Sequence, residues 1–356
     1  MKVVVAMSGG VDSSVAAALL KEAGHDVIGA TMQITLPPDK LEDARIAAGK
    51  LDIPHHIINL GDIFAREVIA PFCQEYLQGR TPNPCIRCNR YIKFGALLDK
   101  AEQLGADFIA TGHHARIERD NISGRHLLKK GVDRRKDQSY FLYTLTQEQL
   151  NHTLLPVGSF KKDRIRKIAG ELGLSSAAKA DSQEICFIPN DDYPEFLKNH
   201  ASQTVVPGPI LDKDGNVLGE HEGIQFYTIG QRKGLGIAAG EPRYVISINP
   251  EQNAIVVGSK AETFSLELTA SVLNWISIAN LEGPITAKAK IRYQHRETEA
   301  EIIPLTGNEV YVKFAEPQMA ITPGQAVVFY HGDTVIGGGT IDRINYNWIN
   351  NNGERR

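Results

Sequence analysis

The chain has 356 residues, long enough for two or three domains of ordinary size, and its 42% hydrophobic and 23% charged residues, with 32 glycines and 17 prolines in no repeating pattern, exclude collagen, coiled coil and disorder. A net charge of −3, from 39 basic and 42 acidic residues, excludes a polycationic nucleic-acid binder for the chain as a whole. No apolar run approaches membrane-spanning length and Met1-Lys2-Val3 opens directly into a strand, so a cytoplasmic protein with no membrane partner is expected.

Residues 3–7 are an apolar run of strand length, followed by Ser8-Gly9-Gly10 and an amphipathic stretch from Asp12 to Ala23 that Gly24 stops. The same patterning predicts strands over 27–34, 55–60 and 106–111, and helices over 39–51, 63–77 and 89–104. Strands alternating with helices imply an α/β domain, placed at 1–205, with a doubly wound parallel sheet whose ligands sit beyond the strand C-termini. After Pro207-Gly208-Pro209, short β-branched runs alternate with turn signals such as Asp214-Gly215-Asn216 and Thr322-Pro323-Gly324. They predict a small β-rich unit at 206–265 and a C-terminal β-barrel at 266–356.

Ser8-Gly9-Gly10-Val11-Asp12-Ser13-Ser14 falls at the first strand-to-helix turn, where glycines admit close backbone approach and free helix N–H groups face outward. An anion should bind there, and an Asp beside phosphates makes most sense with an intervening Mg²⁺. No Lys follows the glycines, which disfavours a Walker-type kinase or GTPase. Two basic runs stand out, Lys129, Lys130, Arg134, Arg135 and Lys136, and then Lys161, Lys162, Arg164, Arg166 and Lys167; each is either a solvated face or a phosphate-binding surface. Four cysteines are too few for a disulfide scaffold, and Cys85-x-x-Cys88 in a reducing compartment points to a metal, a cluster or redox chemistry. The helix predicted from Asn89 would put Cys88 at its positive end, with Arg87 and Arg90 nearby, so a lowered thiol pKa is expected. Cys73 reads as a core thiol and His55-His56 as structural histidines.

The glycine loop resembles that of the ATP pyrophosphatase (PP-loop) superfamily. Thr81-Pro82-Asn83-Pro84-Cys85-Ile86-Arg87-Cys88, Thr111-Gly112-His113-His114, Lys136-Asp137-Gln138-Ser139, Asp181-Ser182-Gln183-Glu184-Ile185-Cys186-Phe187 and Phe226-Tyr227-Thr228-Ile229-Gly230-Gln231-Arg232-Lys233-Gly234 look like the successive signatures of the tRNA-specific 2-thiouridylase family, in order along nearly the whole chain. The resemblance implies an ATP-dependent enzyme that 2-thiolates the wobble uridine of tRNA: the C2 oxygen is adenylated, then displaced by sulfur. It implies ATP at Ala6, Met7, Ser8, Gly9, Gly10, Val11, Asp12, Ser13, Met32 and Gly112, with Mg²⁺. It makes Cys88 the nucleophile and Cys186 the persulfide carrier. tRNA contacts are implied at Asn83, Pro84, Cys85, His113, Lys136, Asp137, Gln138, Arg292, Tyr293 and Gln325. A sulfur donor, either a persulfide carrier protein or hydrosulfide, is a further partner, and the chain is expected to be a monomer or weak dimer.

A common form of the family has Asp at the position of Cys85. The third cysteine opens a second route, in which Cys85, Cys88 and Cys186 ligate a [4Fe–4S] cluster with one open iron. Two other functions compete: a PP-loop synthetase that amidates an adenylated carbonyl, and a non-catalytic RNA-binding protein. The cysteines speak against the former, and the intact Asp12 and Ser13 against the latter.

Overall fold

A computed structural model describes residues 1–34, 38–174, 185–200, 205–237 and 240–344. The Asp181-Ser182-Gln183-Glu184 string and residues 345–356 lie outside the described residues.

The N-terminal sheet is parallel throughout, in the order β3-β2-β1-β4-β7, from β1 (Lys2–Ala6), β2 (Asp26–Gln33), β3 (His55–Asn59), β4 (Phe108–Ala110) and β7 (Thr153–Leu154). The short β7 was not legible in the sequence. Val3, Val4 and Val5 are all fully buried because helices cover both faces, which is why β1 reads as an unbroken apolar run. Val3 and Val5 face α1 (Val11–Glu22) and α6 (Lys162–Glu171), packing with Val15, Ala16, Ile165 and Ala169. Val4 and Ala6 face the opposite layer, built from Phe64 and Val68 of α3 (61–77) and Ile92 and Leu97 of α4 (84–103). Two further helices complete this order, α2 (Pro38–Lys50) before β3 and the short α5 (Gln147–Asn151) before β7, and α7 (Tyr193–His200) follows α6.

The middle unit is a four-stranded sheet ordered β10-β11-β8-β9, from β8 (Gly208–Leu211), β9 (Val217–His221), β10 (Tyr244–Asn249) and β11 (Ala254–Gly258). The last unit is a six-stranded antiparallel barrel of β12 (Phe264–Trp275), β13 (Ile285–Lys290), β14 (Thr298–Leu305), β15 (Glu309–Met319), β16 (Ala326–His331) and β17 (Thr334–Ile344). Pairing of β12 with β17 closes it.

A hairpin that the sequence reading missed, β5 (Ala115–Arg119) and β6 (His126–Lys130), extends the barrel sheet by pairing β6 with β17 at Lys129 and Thr334. The first basic run therefore has a different role from a bare phosphate surface. Lys129 pairs with Glu118, Arg134 pairs with Asp333, and the buried Lys130 reaches Glu297 Oε2 at 2.7 Å, so three of its charges are spent on contacts within the hairpin or with the barrel. Neutral contacts join the same units: Tyr140 donates to the Ala326 carbonyl at 2.9 Å, and Asn274 donates to the carbonyls of Tyr143 and Leu145 at 2.7 and 3.0 Å. The barrel is thus fastened directly to the segment that follows the end of β4.

Candidate active site

Two groups of residues meet beyond the C-terminal ends of β1 and β4. The first is the turn between β1 and α1. Gly9 has φ 73°, a left-handed conformation that suits glycine, and Gly10 begins α1 with no side chain capping the helix. The Ser13 hydroxyl donates to the Gly10 carbonyl and accepts from the Ser8 amide, which holds the loop in a ring. Gly112 presses against it so closely that a Cβ there would lie 2.6 Å from the backbone of Asp12 and Ser13. Ala6 to Ser13, Met32 at the end of β2, and Gly112 just past β4 thus gather at one edge of the sheet, as ligand-binding residues of a doubly wound fold do. The glycine turn, the uncapped helix start and the Asp12 carboxylate suit a pyrophosphate, and Asp12 is the residue that would hold a Mg²⁺ ion accompanying it.

Asp12 is held by two partners that the sequence did not reveal. Lys162 Nζ lies 2.8 and 2.7 Å from its two carboxylate oxygens, and His114 Nε2 lies 3.0 Å from Oδ1. Burial pushes the Asp12 carboxyl up, but the hydrogen bonds with His114 and Lys162 outweigh it and hold the group below the usual carboxylate range. Lys162 itself is buried at 5% exposure, so the second basic run splits: one lysine turns inward while Arg164 and Lys167 stay near Glu171 at 3.6 and 3.9 Å on the outside. Lys162→Met leaves this carboxylate without its cation, with an expected loss at pH 7 of about 2–3 kcal/mol, less than for a fully enclosed pair because the Asp12 side chain is 28% exposed. The sign follows from the lowered pKa. The increment is present above the unfolded carboxylate value of about 3.9 and is lost as pH falls through the folded one, so denaturation curves of wild type and variant converge in acid.

The second group is the thiol cluster. The helix predicted from Asn89 starts five residues earlier: α4 runs from Pro84, at its first position, behind Asn83. Cys88 is therefore more than a turn inside the helix and buried. Burial pushes its thiol up to about 12, with Lys93 the opposing influence, so the expected lowered pKa is overturned. The reason is twofold. The positive end lies a turn away, and the two arginines point elsewhere: Arg87 Nε donates to the Glu67 carbonyl at 2.7 Å, and Arg87 and Arg90 both lie over the Tyr91 ring. α4 is wound as a π-helix over Cys88–Ala96, which brings residues five apart onto one face and so sets Lys93 beside Cys88. Lys93→Met removes that favourable charge, so at a given alkaline pH alkylation of Cys88 is expected to slow, roughly threefold, as followed by mass spectrometry.

Cys85 is exposed, yet the protein packed round it pushes its thiol pKa up, with Lys93 lowering it and Cys186 raising it further. Cys186 is exposed and close enough to influence both other thiols. The following Phe187 anchors it by packing edge-on against Phe64, Phe72 and Phe196 at 5.2–5.5 Å. The structure brings the three cysteines to one neighbourhood, where Cys186 acts on both other thiols. Among the described residues no three His, Cys, Asp or Glu side chains form a metal-binding group, so as placed these thiols do not fit a [4Fe–4S] cluster. Cys73 lies in the core with Phe72 and Tyr76, and His55 Nε2 is 2.8 Å from Thr31 Oγ1, a structural bond.

Residues 111–114 join the two groups. His113 is buried, its Nδ1 2.6 Å from Thr111 Oγ1, and burial drives its pKa well below the ordinary value, helped by Lys93 on the thiol side. Its neighbour His114 holds Asp12 on the phosphate side. Of the other expected RNA contacts, Asp137 is buried and accepts from Gly131 N, Ser139 N and Ser139 Oγ, and Gln138 Oε1 accepts from the His114 amide. Arg292 donates to the Met319 carbonyl, and Tyr293 packs on Phe141 at 4.4 Å. The Phe141 carbonyl in turn accepts from Asn89 of α4, which brings the barrel loop to the thiol helix. Gln325 Nε2 donates to the carbonyls of Thr81 and Pro82, at the entry to α4.

Three family models match successive parts of the chain: a tRNA methyl transferase HUP domain over residues 1–190, a tRNA methyl transferase PRC-barrel domain over 194–259, and an aminomethyltransferase beta-barrel domain over 265–341. The tRNA-specific 2-thiouridylase MnmA of Acetivibrio thermocellus is 53% identical over 96% of this chain and 99% of its own length. That of Heliobacterium modesticaldum is 54% identical over 96% of this chain and 92% of its own. A solved 4-thiouridine synthetase–RNA complex with bound ATP is a distant likeness, 19% identical with a TM-score of 0.36 over 56% of this chain and 50% of that one. With its three units in the same order and relatives this similar along their full lengths, the chain belongs to the tRNA-specific 2-thiouridylase family.

Proposed function

We propose that this protein replaces the C2 oxygen of the wobble uridine of tRNA with sulfur, at the expense of ATP. The observation that carries this function is the direct junction, through residues 111–114, of the glycine turn with a cluster of three cysteines. A carbonyl oxygen is a poor leaving group, and adenylation makes it a good one, so an AMP-transferring loop and a sulfur nucleophile belong together.

In this scheme the turn from Ser8 to Ser13 holds the pyrophosphate part of ATP and Asp12 supplies a protein oxygen to Mg²⁺, which neutralises phosphate charge when bound. The uridine C2 oxygen attacks the α-phosphorus and pyrophosphate departs. Cys186 Sγ attacks the outer sulfur of a carrier protein's persulfide, whose thiolate departs, and so becomes a persulfide; its terminal sulfur adds to C2 and AMP leaves. Cys88 then attacks Cys186 Sγ, releasing 2-thiouridine and leaving a Cys88–Cys186 disulfide, which an external dithiol reduces with two electrons. The raised Cys88 pKa fits a nucleophile kept protonated, and so protected, until the persulfide has transferred its sulfur. Cys85, Asn83 and Pro84, at the start of α4, lie where the base must enter, and the segments of Lys136, Gln138, Arg292 and Tyr293 supply tRNA contacts around it. We favour the two-cysteine route over a cluster because the thiols as placed offer no ligand set.

Pyrophosphate release tests the assignment. With purified protein and α,β-labelled ATP, release is expected only when unmodified tRNA is added. Release driven by ammonia without tRNA would instead indicate an amidating synthetase, and no release under either condition an RNA-binding protein.

A further inference from the structure

The segment 80–84, which leads into Cys85, is fastened from outside its own domain. The Thr81 amide donates to the Pro323 carbonyl at 2.9 Å. Gln325 Nε2 donates to the Thr81 carbonyl at 2.9 Å and lies 3.4 Å from that of Pro82. Gly324, with φ 89°, lies so close that a Cβ would stand 3.0 Å from three backbone atoms of Thr81. Arg80 reaches the Ile341 carbonyl and Asp342 at 3.2 and 3.3 Å, and the Thr81 hydroxyl donates to that of Thr228 in the middle unit at 3.3 Å. Pro82 and Pro84 stiffen the segment, so the position of Thr81 passes along it to Cys85 rather than being absorbed by the loop.

We propose that Gln325 is a positioning residue, and that the barrel turn 322–325 sets where Cys85 sits relative to Lys93 and Cys186. A residue whose work is to touch RNA presents its amide outward; Gln325 spends its nitrogen on two backbone carbonyls of this chain. The barrel is then part of the catalytic apparatus as well as an RNA-facing domain. Only the turnover arm of the following test rests on the proposed thiolation.

The test compares wild type, Gln325→Ala and Gly324→Ala by two measurements. Without tRNA, the pH profile of Cys85 alkylation by iodoacetamide is followed by mass spectrometry. Release of the strap shifts Cys85 relative to Lys93 and Cys186, so its alkylation rate at neutral pH is expected to change about threefold or more in both variants, with the profile displaced along the pH axis and that of Cys73 unchanged. With tRNA, kcat for thiolation is expected to fall about 10–100-fold, while KM for tRNA stays within about twofold, as a displaced reacting group requires. Gly324 has no side chain to offer RNA, so a matching effect there can only pass through the strap; if Gly324→Ala does not fold, Gln325→Ala alone decides. A raised KM with unchanged Cys85 alkylation overturns the proposal in favour of a tRNA contact, and unchanged values of both overturn it outright. If no protein, wild type included, thiolates tRNA while Cys85 alkylation still responds, the proposed function fails and the strap stands.

Discussion

Asp12→Asn is expected to reduce tRNA-dependent pyrophosphate release by about 10²–10³-fold while leaving tRNA affinity within a few-fold. The substitution keeps the shape of the side chain and removes its charge. Two consequences follow at one atom group. The glycine turn loses the carboxylate that would share Mg²⁺ with the phosphates, and Lys162, buried against that carboxylate at 2.7 and 2.8 Å, is left facing a neutral amide. Binding of tRNA should scarcely change, because phosphate contacts over a wide surface dominate such affinity and Asp12, in the first turn of α1, is a single carboxylate engaged by Lys162 and His114. Unaltered pyrophosphate release in Asp12→Asn would remove the glycine turn from the chemistry.

Cys88→Ser separates the two halves of the reaction. Pyrophosphate release is expected to persist, within about threefold, since adenylation needs no thiol, whereas 2-thiouridine falls to background because a serine hydroxyl does not attack a sulfur–sulfur bond. An adduct trapped through Cys186 should accumulate on the tRNA and be discharged by an added small thiol. The observation behind this expectation is the nearness of Cys186 to Cys88, with Phe187 anchoring the Cys186 segment against Phe64 and Phe72. Full thiolation by Cys88→Ser would transfer the role of resolving thiol to Cys85.

The glycine turn was legible because its signal is local: an apolar run, two glycines and a helix in sequence demand a βα unit, and an uncapped helix start beside Asp12 follows from residues within a dozen positions. The barrel was legible through its regular turn signals. The hairpin β5–β6 was not, because its strands are five residues each, carry charges such as Arg116, Glu118 and Lys129 on one face, and become a sheet edge only when β17 arrives from 200 residues away. Lys162 hid for a similar reason. Within a basic run it looks like its solvated neighbours, and its partner Asp12 stands 150 residues earlier. The thiol pKa went the wrong way for a local reason that was readable: Asn83-Pro84 is a helix start with Pro at the first position, and placing the start there puts Cys88 inside the helix and under the burial that dominates its titration.

The most direct test of the central claim is the nucleoside product itself. Purified protein, ATP, Mg²⁺, a persulfide donor and a dithiol are incubated with unmodified tRNA, the tRNA is digested to nucleosides, and the wobble uridine is weighed by mass spectrometry. The expected product is a uridine in which one oxygen has been exchanged for sulfur at C2, formed only with ATP, with one AMP and one pyrophosphate released for each sulfur transferred. A wobble uridine of unchanged mass under these conditions, or sulfur incorporation without ATP cleavage, would contradict it.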